Sequence, residues 1–111
     1  MTFEPFEVLV VPFPFSDSSE VKRRKAFVLS NPAFQAGSGT LVMAMITSAQ
    51  ASAWPGDVPI VDLKSAGLRK ACLARMKLFT IDEALILESV GRLSKKDQDS
   101  LRAAWSPLLA L

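Results

Sequence analysis

Three apolar runs in the first fifty residues commit this chain to short strands: VLVVPFPF at 8–15, AFVLSN at 26–31 and LVMAMITSAQ at 41–50. The first is apolar at nearly every position from 7 to 13, the pattern of a strand covered on both faces. Pro12 and Pro14 end it, because proline has no N–H to give to a ladder. Between the first two runs lies SDSSEVKRRK at 16–25, a basic loop, and the third run closes on Thr47-Ser48. Strand ends and the loops on them are where a small β-barrel builds a site. This order brings consecutive cations and an isolated hydroxyl to such ends. A cation cluster facing a hydroxyl suits a phosphodiester better than a metal, a cofactor or an acyl substrate.

The rest of the chain extends the pattern. Strands are expected at 7–13, 26–30 and 40–48, with Asn31-Pro32 and Gly37-Ser38-Gly39 punctuating the last connection. Residues 51–59, with Trp54-Pro55-Gly56-Asp57, read as a loop into a short strand at 58–61. A second loop at 64–70 precedes a strand at 71–79. Thr80 is placed to cap a helical turn, with Glu83 in the capping-box position. A final strand is expected at 89–93. Ser94 with Asp97 then opens a C-terminal helix, whose Leu101, Ala104, Trp105, Leu108 and Leu109 form one apolar stripe. Pro107 kinks that helix or ends it early. The expected fold is mainly β: a single domain over 1–111, a barrel of five to seven short strands with a C-terminal α-helix packed on it.

Composition narrows the chemistry by subtraction. No apolar run approaches the roughly 20 residues of a membrane span, and Glu4 and Glu7 stand where a signal peptide would be basic. The expected location is the cytoplasm, with no membrane partner. There is no histidine and no tyrosine, and Cys72 is alone in an apolar run, which suits a small buried hydrophobe. Histidine triads, Cys–His pairs and zinc sites are thereby excluded. The carboxylates show no metal-ligand spacing, and GSG at 37–39 is a turn, so neither a metal nor a cofactor is expected. The net charge of +2 is mild, but Lys22, Arg23, Arg24 and Lys25 are consecutive, and Arg69, Lys70, Arg75 and Lys77 form a second basic group. Brought together, the two groups would attract a polyanion whatever the total charge.

RNA cleavage needs none of the missing groups. The substrate's 2′-hydroxyl is its own nucleophile, so the protein supplies alignment, proton transfer and charge stabilisation. An arginine can hold non-bridging oxygens bidentately, and a threonine or serine hydroxyl can donate to the same phosphate.

In order and spacing, PFPFSD and KRRKAFVLSN within 7–31, AMITSAQ at 44–50, PGDVPI at 55–60, GLRKACLARMKLFTID at 67–82 and SVGRLSKKD at 89–97 resemble the MazF/PemK toxin family. Those are the ribonuclease partners of type II toxin–antitoxin pairs. The resemblance implies an SH3-like barrel closed by a C-terminal helix, a homodimer, and metal-independent cutting of single-stranded RNA at short motifs. The products would carry 2′,3′-cyclic phosphate and 5′-hydroxyl ends. It also implies a cognate antitoxin with an acidic disordered tail. On this likeness Arg24 and Thr47 are the catalytic pair, and Lys22, Arg23, Lys25, Ser48, Arg75 and Lys77 bind RNA. The chain departs from the family in having Lys25 where proline is usual and Phe6 where glycine usually precedes the acid. Many members carry an aromatic residue or a histidine near the site, and this chain has no histidine. Glu7, Asp17, Glu20 and Asp82 stand equally as candidate bases.

Two other readings stand beside the nuclease: a CcdB-like, gyrase-inhibiting toxin on the same fold, and a silent module binding nucleic acid or antitoxin. Trp54 and Trp105 are expected as core or dimer-interface anchors, Phe13 and Phe15 as packing under the loop, and Met43, Met45 and Met76 as core filler.

Overall fold

A computed structural model describes residues 1–13, 22–48 and 54–111. The strands are β1 (Glu7–Phe13), β2 (Lys22–Val28), β3 (Thr40–Ser48), β4 (Val58–Pro59), β5 (Cys72–Asp82) and β6 (Glu88–Arg92). All pairings are antiparallel, in the order β4-β5-β3-β2-β1-β6. The helices are α1 (Pro32–Ser38), α2 (Leu63–Ala66) and α3 (Lys95–Trp105). The fold is the mainly β architecture expected from the sequence: a six-stranded curled sheet, or half-barrel, with a C-terminal helix.

Both sides of the sheet are buried, which is why β1 is apolar almost throughout. Val8, Phe27, Ala44, Ile46 and Ala74 lie on the side that packs against α2 and α3, with Leu101 and Trp105. Leu9, Val11, Ala26, Val28, Leu41 and Met43 lie on the other, with Phe3 and Ile81. Helix α1 packs beside β3, α2 on β6, and α3 reaches β4. Trp105 stacks near Phe27 at 5.7 Å and donates from Nε1 to the Gly56 carbonyl. Asp97, only 1 % exposed, accepts from the Val61 and Asp62 amides and the Ser94 hydroxyl. The Ser94 hydroxyl caps α3 by accepting from the Asp97 amide, and the Asp97 carboxylate pins the β4–α2 connection to that cap.

Several boundaries differ from the sequence reading. The basic residues 22–25 belong to β2 itself, because β1 extends the ladder to Phe13↔Lys22. Asn31-Pro32 opens a helix: the Asn31 side chain accepts from the Phe34 amide, Pro32 needs no donor at a first position, and Gly39 closes it at φ 70°. Within the expected loop at 64–70, α2 forms between the Asp62 cap and Gly67 at φ 71°. Strand β5 runs on to Asp82, paired with Thr40, and Asp82 caps the 3-10 turn Glu83–Leu85 in place of Thr80. Helix α3 ends early, at Trp105, as expected from Pro107, which sits in a 3-10 turn, Ser106–Leu108. Residues 14–21 and 49–53, which hold Phe15, Asp17, Glu20 and the start of the expected loop at 51–59, lie outside the described residues. No helix among the described residues is long and apolar enough to cross a membrane.

Candidate nucleic-acid interface

Strand alternation sorts the basic residues before any contact is considered. On β2, Arg24 shares a side with Ala26 and Val28, while Lys25 shares a side with Phe27. On β3, Thr47 shares a side with Met43 and Met45, and Ser48 with Ala44 and Ile46. The β2–β3 register pairs Ala26 with Met45 and Phe27 with Ala44. Continued two residues past its last pair, that register sets Arg24 opposite Thr47, on one side of the sheet. Thr47 is in turn paired with Leu73 of β5.

The β3–β5 ladder has an irregularity here. Ala44 pairs with Leu78 but Met45 pairs with Arg75, so Met76 and Lys77 form a bulge on β5. A bulge re-aims side chains beside a site. Here it sets Arg75 opposite Met45 and next to the line of Arg24 and Thr47.

These elements bound a groove of about 650 Å³, lined by β2 on one wall, β3 as the floor, and β5 with the α2–β5 turn on the other. Of the residues singled out from the sequence, it collects Arg23, Arg24, Lys25, Thr47, Ser48, Arg75 and Lys77. Arg69 and Lys70 of the second basic group join them. Lys22 does not: it is exposed, paired with Phe13 one step along the strand end.

Arg75 is engaged within the protein. Its Nε and Nη2 donate to Asp57 Oδ1 and Oδ2 at 3.1 and 3.0 Å, a bidentate pair. That hydrogen bond, more than the charge attraction with it, holds the guanidinium further into its charged form. The guanidinium also lies 5.2 Å from the Trp54 ring centroid. Of the two tryptophans expected as core or dimer-interface anchors, Trp105 is buried in the core and Trp54, 42 % exposed, is not. Sequence reasoning passed over Asp57 as a site residue, although WPGD put an acid in a tight turn of the string PGDVPI; only the fold brings that turn to Arg75.

Cys72 lies at the groove's edge, its Sγ 3.3 Å from the Lys70 carbonyl. Burial pushes its thiol above the ordinary value of 9.0, and the Lys25 and Lys70 ammoniums pull it part of the way back. It is the small buried group the sequence suggested, as is Met43; Met45 and Met76 are half-buried. Glu7 accepts from the Ser89 hydroxyl and the Glu4 amide at the β1–β6 edge, and Asp82 accepts from the Ala84 amide. Neither lines the groove. Among the described residues no carboxylate lines it, and no cluster of three or more potential metal ligands is present.

A groove with cationic walls and a hydroxyl on its floor can hold a polyanion and place one phosphate between Arg24 and Thr47. The chain is similar to known proteins. A family model described as "PemK-like, MazF-like toxin of type II toxin-antitoxin system" matches residues 4–109. No curated protein sequence matches the chain. Among solved structures, a MazF from Deinococcus radiodurans, crystallised as MazE-MazF, superposes with a TM-score of 0.73 at 17 % identity, covering 97 % of each chain. The Mycobacterium tuberculosis toxin MazF-mt6 gives 0.71 at 18 % identity over 91 % of this chain and 93 % of that one. An endoribonuclease from a mycobacterial species, in complex with its cognate antitoxin, gives 0.72 at 12 % identity over 99 % and 95 %. At these identities the structural likeness establishes the fold.

Proposed function

This chain belongs to the PemK-like, MazF-like toxin family of type II toxin–antitoxin systems, and on that premise we propose that it is a metal-independent endoribonuclease acting on single-stranded RNA. The observation that carries the reading is that Arg24 and Thr47 both line one cationic groove, on neighbouring strands whose register, if continued past Ala26↔Met45, would set them opposite each other. The 2′-hydroxyl attacks the adjacent phosphorus, the bond to the 5′-oxygen breaks, and a 2′,3′-cyclic phosphate and a 5′-hydroxyl result. Arg24 stabilises the negative charge that grows on the phosphorane and gives a proton to the leaving oxygen, and the proton shed by the 2′-hydroxyl passes through solvent to restore the guanidinium. Thr47 donates to a non-bridging oxygen and holds the phosphate in line. Arg23, Arg69, Lys70 and Lys77 bind the flanking phosphates, and Ser48 and Arg75 border the same track. DNA, lacking the 2′-hydroxyl, binds the groove without being cut.

The family premise extends to partners. A cognate antitoxin with an acidic disordered tail competes with RNA for the same cations. The working toxin is a homodimer.

The test is cleavage of a long single-stranded RNA in EDTA, with analysis of the ends. Wild type should cut at a short recurring motif and leave cyclic-phosphate termini. Arg24→Ala should lower the rate by about a hundredfold or more, in the range for removing one preorganised charge-stabilising group, with folding intact. Undiminished cleavage by Arg24→Ala would remove Arg24 from the mechanism. No cleavage by folded wild type would turn attention to gyrase inhibition.

A further inference from the structure

Lys25 follows Arg24 in sequence and faces away from it in space. Its side chain lies on the Phe27 side of the sheet, and its ammonium donates to the Gly67 carbonyl at 3.3 Å. That carbonyl belongs to a closely packed turn. Gly67 closes α2 at φ 71°, and a Cβ on it would sit 2.2 Å from the Val90 carbonyl oxygen. A Cβ on Gly91 would lie 2.4 Å from the Ser65 carbonyl oxygen and 2.8 Å from the Gly67 nitrogen. The α2 turn is thus seated directly on the backbone of β6. Leu68, Arg69 and Lys70 follow at once and line the groove wall opposite β2.

We propose, resting on the ribonuclease reading of this groove, that Lys25 is a positioning residue. It ties β2 to the α2–β5 turn, holds Arg69 and Lys70 toward the RNA, and keeps its own charge on a backbone carbonyl instead of a phosphate. Proline, the usual residue here in the MazF/PemK family, has no side-chain donor with which to make the tie. The tie joins a residue of β2 to the turn that carries Arg69 and Lys70, so its loss loosens one cationic wall against the other. The wall across from Arg24 then binds phosphate less well, while the reacting centre keeps its own residues.

Two readouts test this, one of which needs no RNA. Hydrogen exchange in the free protein is followed at the Gly67 and Leu68 amides, which donate to Lys64 and Leu63 carbonyls at 3.1 and 2.9 Å. Lys25→Met should speed their exchange about five- to tenfold, the scale of one lost hydrogen bond, and Lys25→Arg should restore protection. Unchanged exchange in Lys25→Met overturns the proposal. The second readout is affinity for a non-cleavable, 2′-deoxy single-stranded oligonucleotide. Lys25→Met should weaken binding about fivefold in the wild-type background and less than about twofold where Arg69→Ser and Lys70→Ser are already present. Equal losses in both backgrounds would show that Lys25 meets phosphate itself, and the proposal would fall. If wild type binds the oligonucleotide but cuts no RNA, the ribonuclease reading fails while both readouts still decide the role of Lys25. If wild type binds none at all, the groove reading itself fails, and unaltered or accelerated exchange still answers whether Lys25 holds the turn.

Discussion

Among the described residues Phe6 is the non-glycine residue that takes up a left-handed backbone, at φ 69°. Two hydrogen bonds lock that conformation: the Phe6 amide donates to Val28 at 2.6 Å, and the Leu93 amide donates to Phe6 at 2.9 Å. For a residue with a Cβ the left-handed region costs about 1–2 kcal/mol. The ring offsets the strain, lying stacked 6.3 Å from Phe27 and 5.0 Å beneath the Arg102 guanidinium. A half-buried ring of this size contributes roughly 1–2 kcal/mol, and the cation about 0.5–1 kcal/mol more. Phe6→Ala loses the ring and keeps the strain, so it should destabilise by about 2–3 kcal/mol. Phe6→Gly loses the same ring but relieves the strain, against about 0.4–1 kcal/mol of extra unfolded-state entropy. Glycine should therefore be the more stable of the two by about 1 kcal/mol, reversing its usual rank against alanine. For a domain of this size that separates the melting temperatures by about 4–8 °C, with both below wild type. Thermal and urea melts at one matched protein concentration check it, since assembly also moves the midpoint. An alanine variant as stable as the glycine variant would refute the claim that Phe6 is strained.

Asp97→Ala strips an acceptor from two amides and the Ser94 hydroxyl at once. It should lower stability by about 3 kcal/mol in urea, against about 1 kcal/mol for Ser94→Ala. Gly91→Ala must displace the backbone of α2, whose Ser65 oxygen would be 2.4 Å from the new carbon. It should destabilise by about 2 kcal/mol or more, whereas Gly37→Ala, in α1 with nothing within 4 Å, should stabilise by about 0.5–1 kcal/mol. The buried Cys72 thiol, raised above 9.0 by the fold, gives a stabilising contribution that is complete below that ordinary value. It is lost as pH rises through the higher folded value. The urea midpoint of wild type should therefore fall above about pH 9, and fall less in Cys72→Ala; identical pH profiles would count against burial as the cause.

The parts of the fold that were legible were those in which one residue type does one physical job. Strand β3 was read at its observed limits because its apolar residues and flanking glycine and hydroxyls mark both ends. The cap of α3 was visible in Ser94 and Asp97, although not that Asp97 also receives the Val61 and Asp62 amides, which come from 36 and 35 residues away. Helices α1 and α2 were missed because Asn-Pro and Asp caps with a glycine stop are the same residues that make turns. Only the number of residues between start and stop separates the two, and in α2 that is a single turn of four residues. The end of β5 was misplaced for a different reason: Thr80 to Asp82 are strand because β3 reaches far enough to pair with them.

The site posed a harder problem, because a run of like charges reads as one patch and strand geometry divides it. Within Lys22-Arg23-Arg24-Lys25, only the pleat and the β2–β3 register single out Arg24 as the residue facing Thr47, and they send Lys25 to the opposite side. The second basic group divides again, since Arg75 is held by Asp57, a residue 18 positions away, while Arg69 and Lys70 ride on the turn that Lys25 reaches. The mild net charge conceals this because the charges are segregated. Seven of the chain's 13 lysines and arginines line the groove, and none of the described acids does. A polyanion meets that local excess and not the sum of +2, so affinity should depend on salt far more steeply than the net charge implies, with a slope near 0.7 for each phosphate neutralised on a single strand.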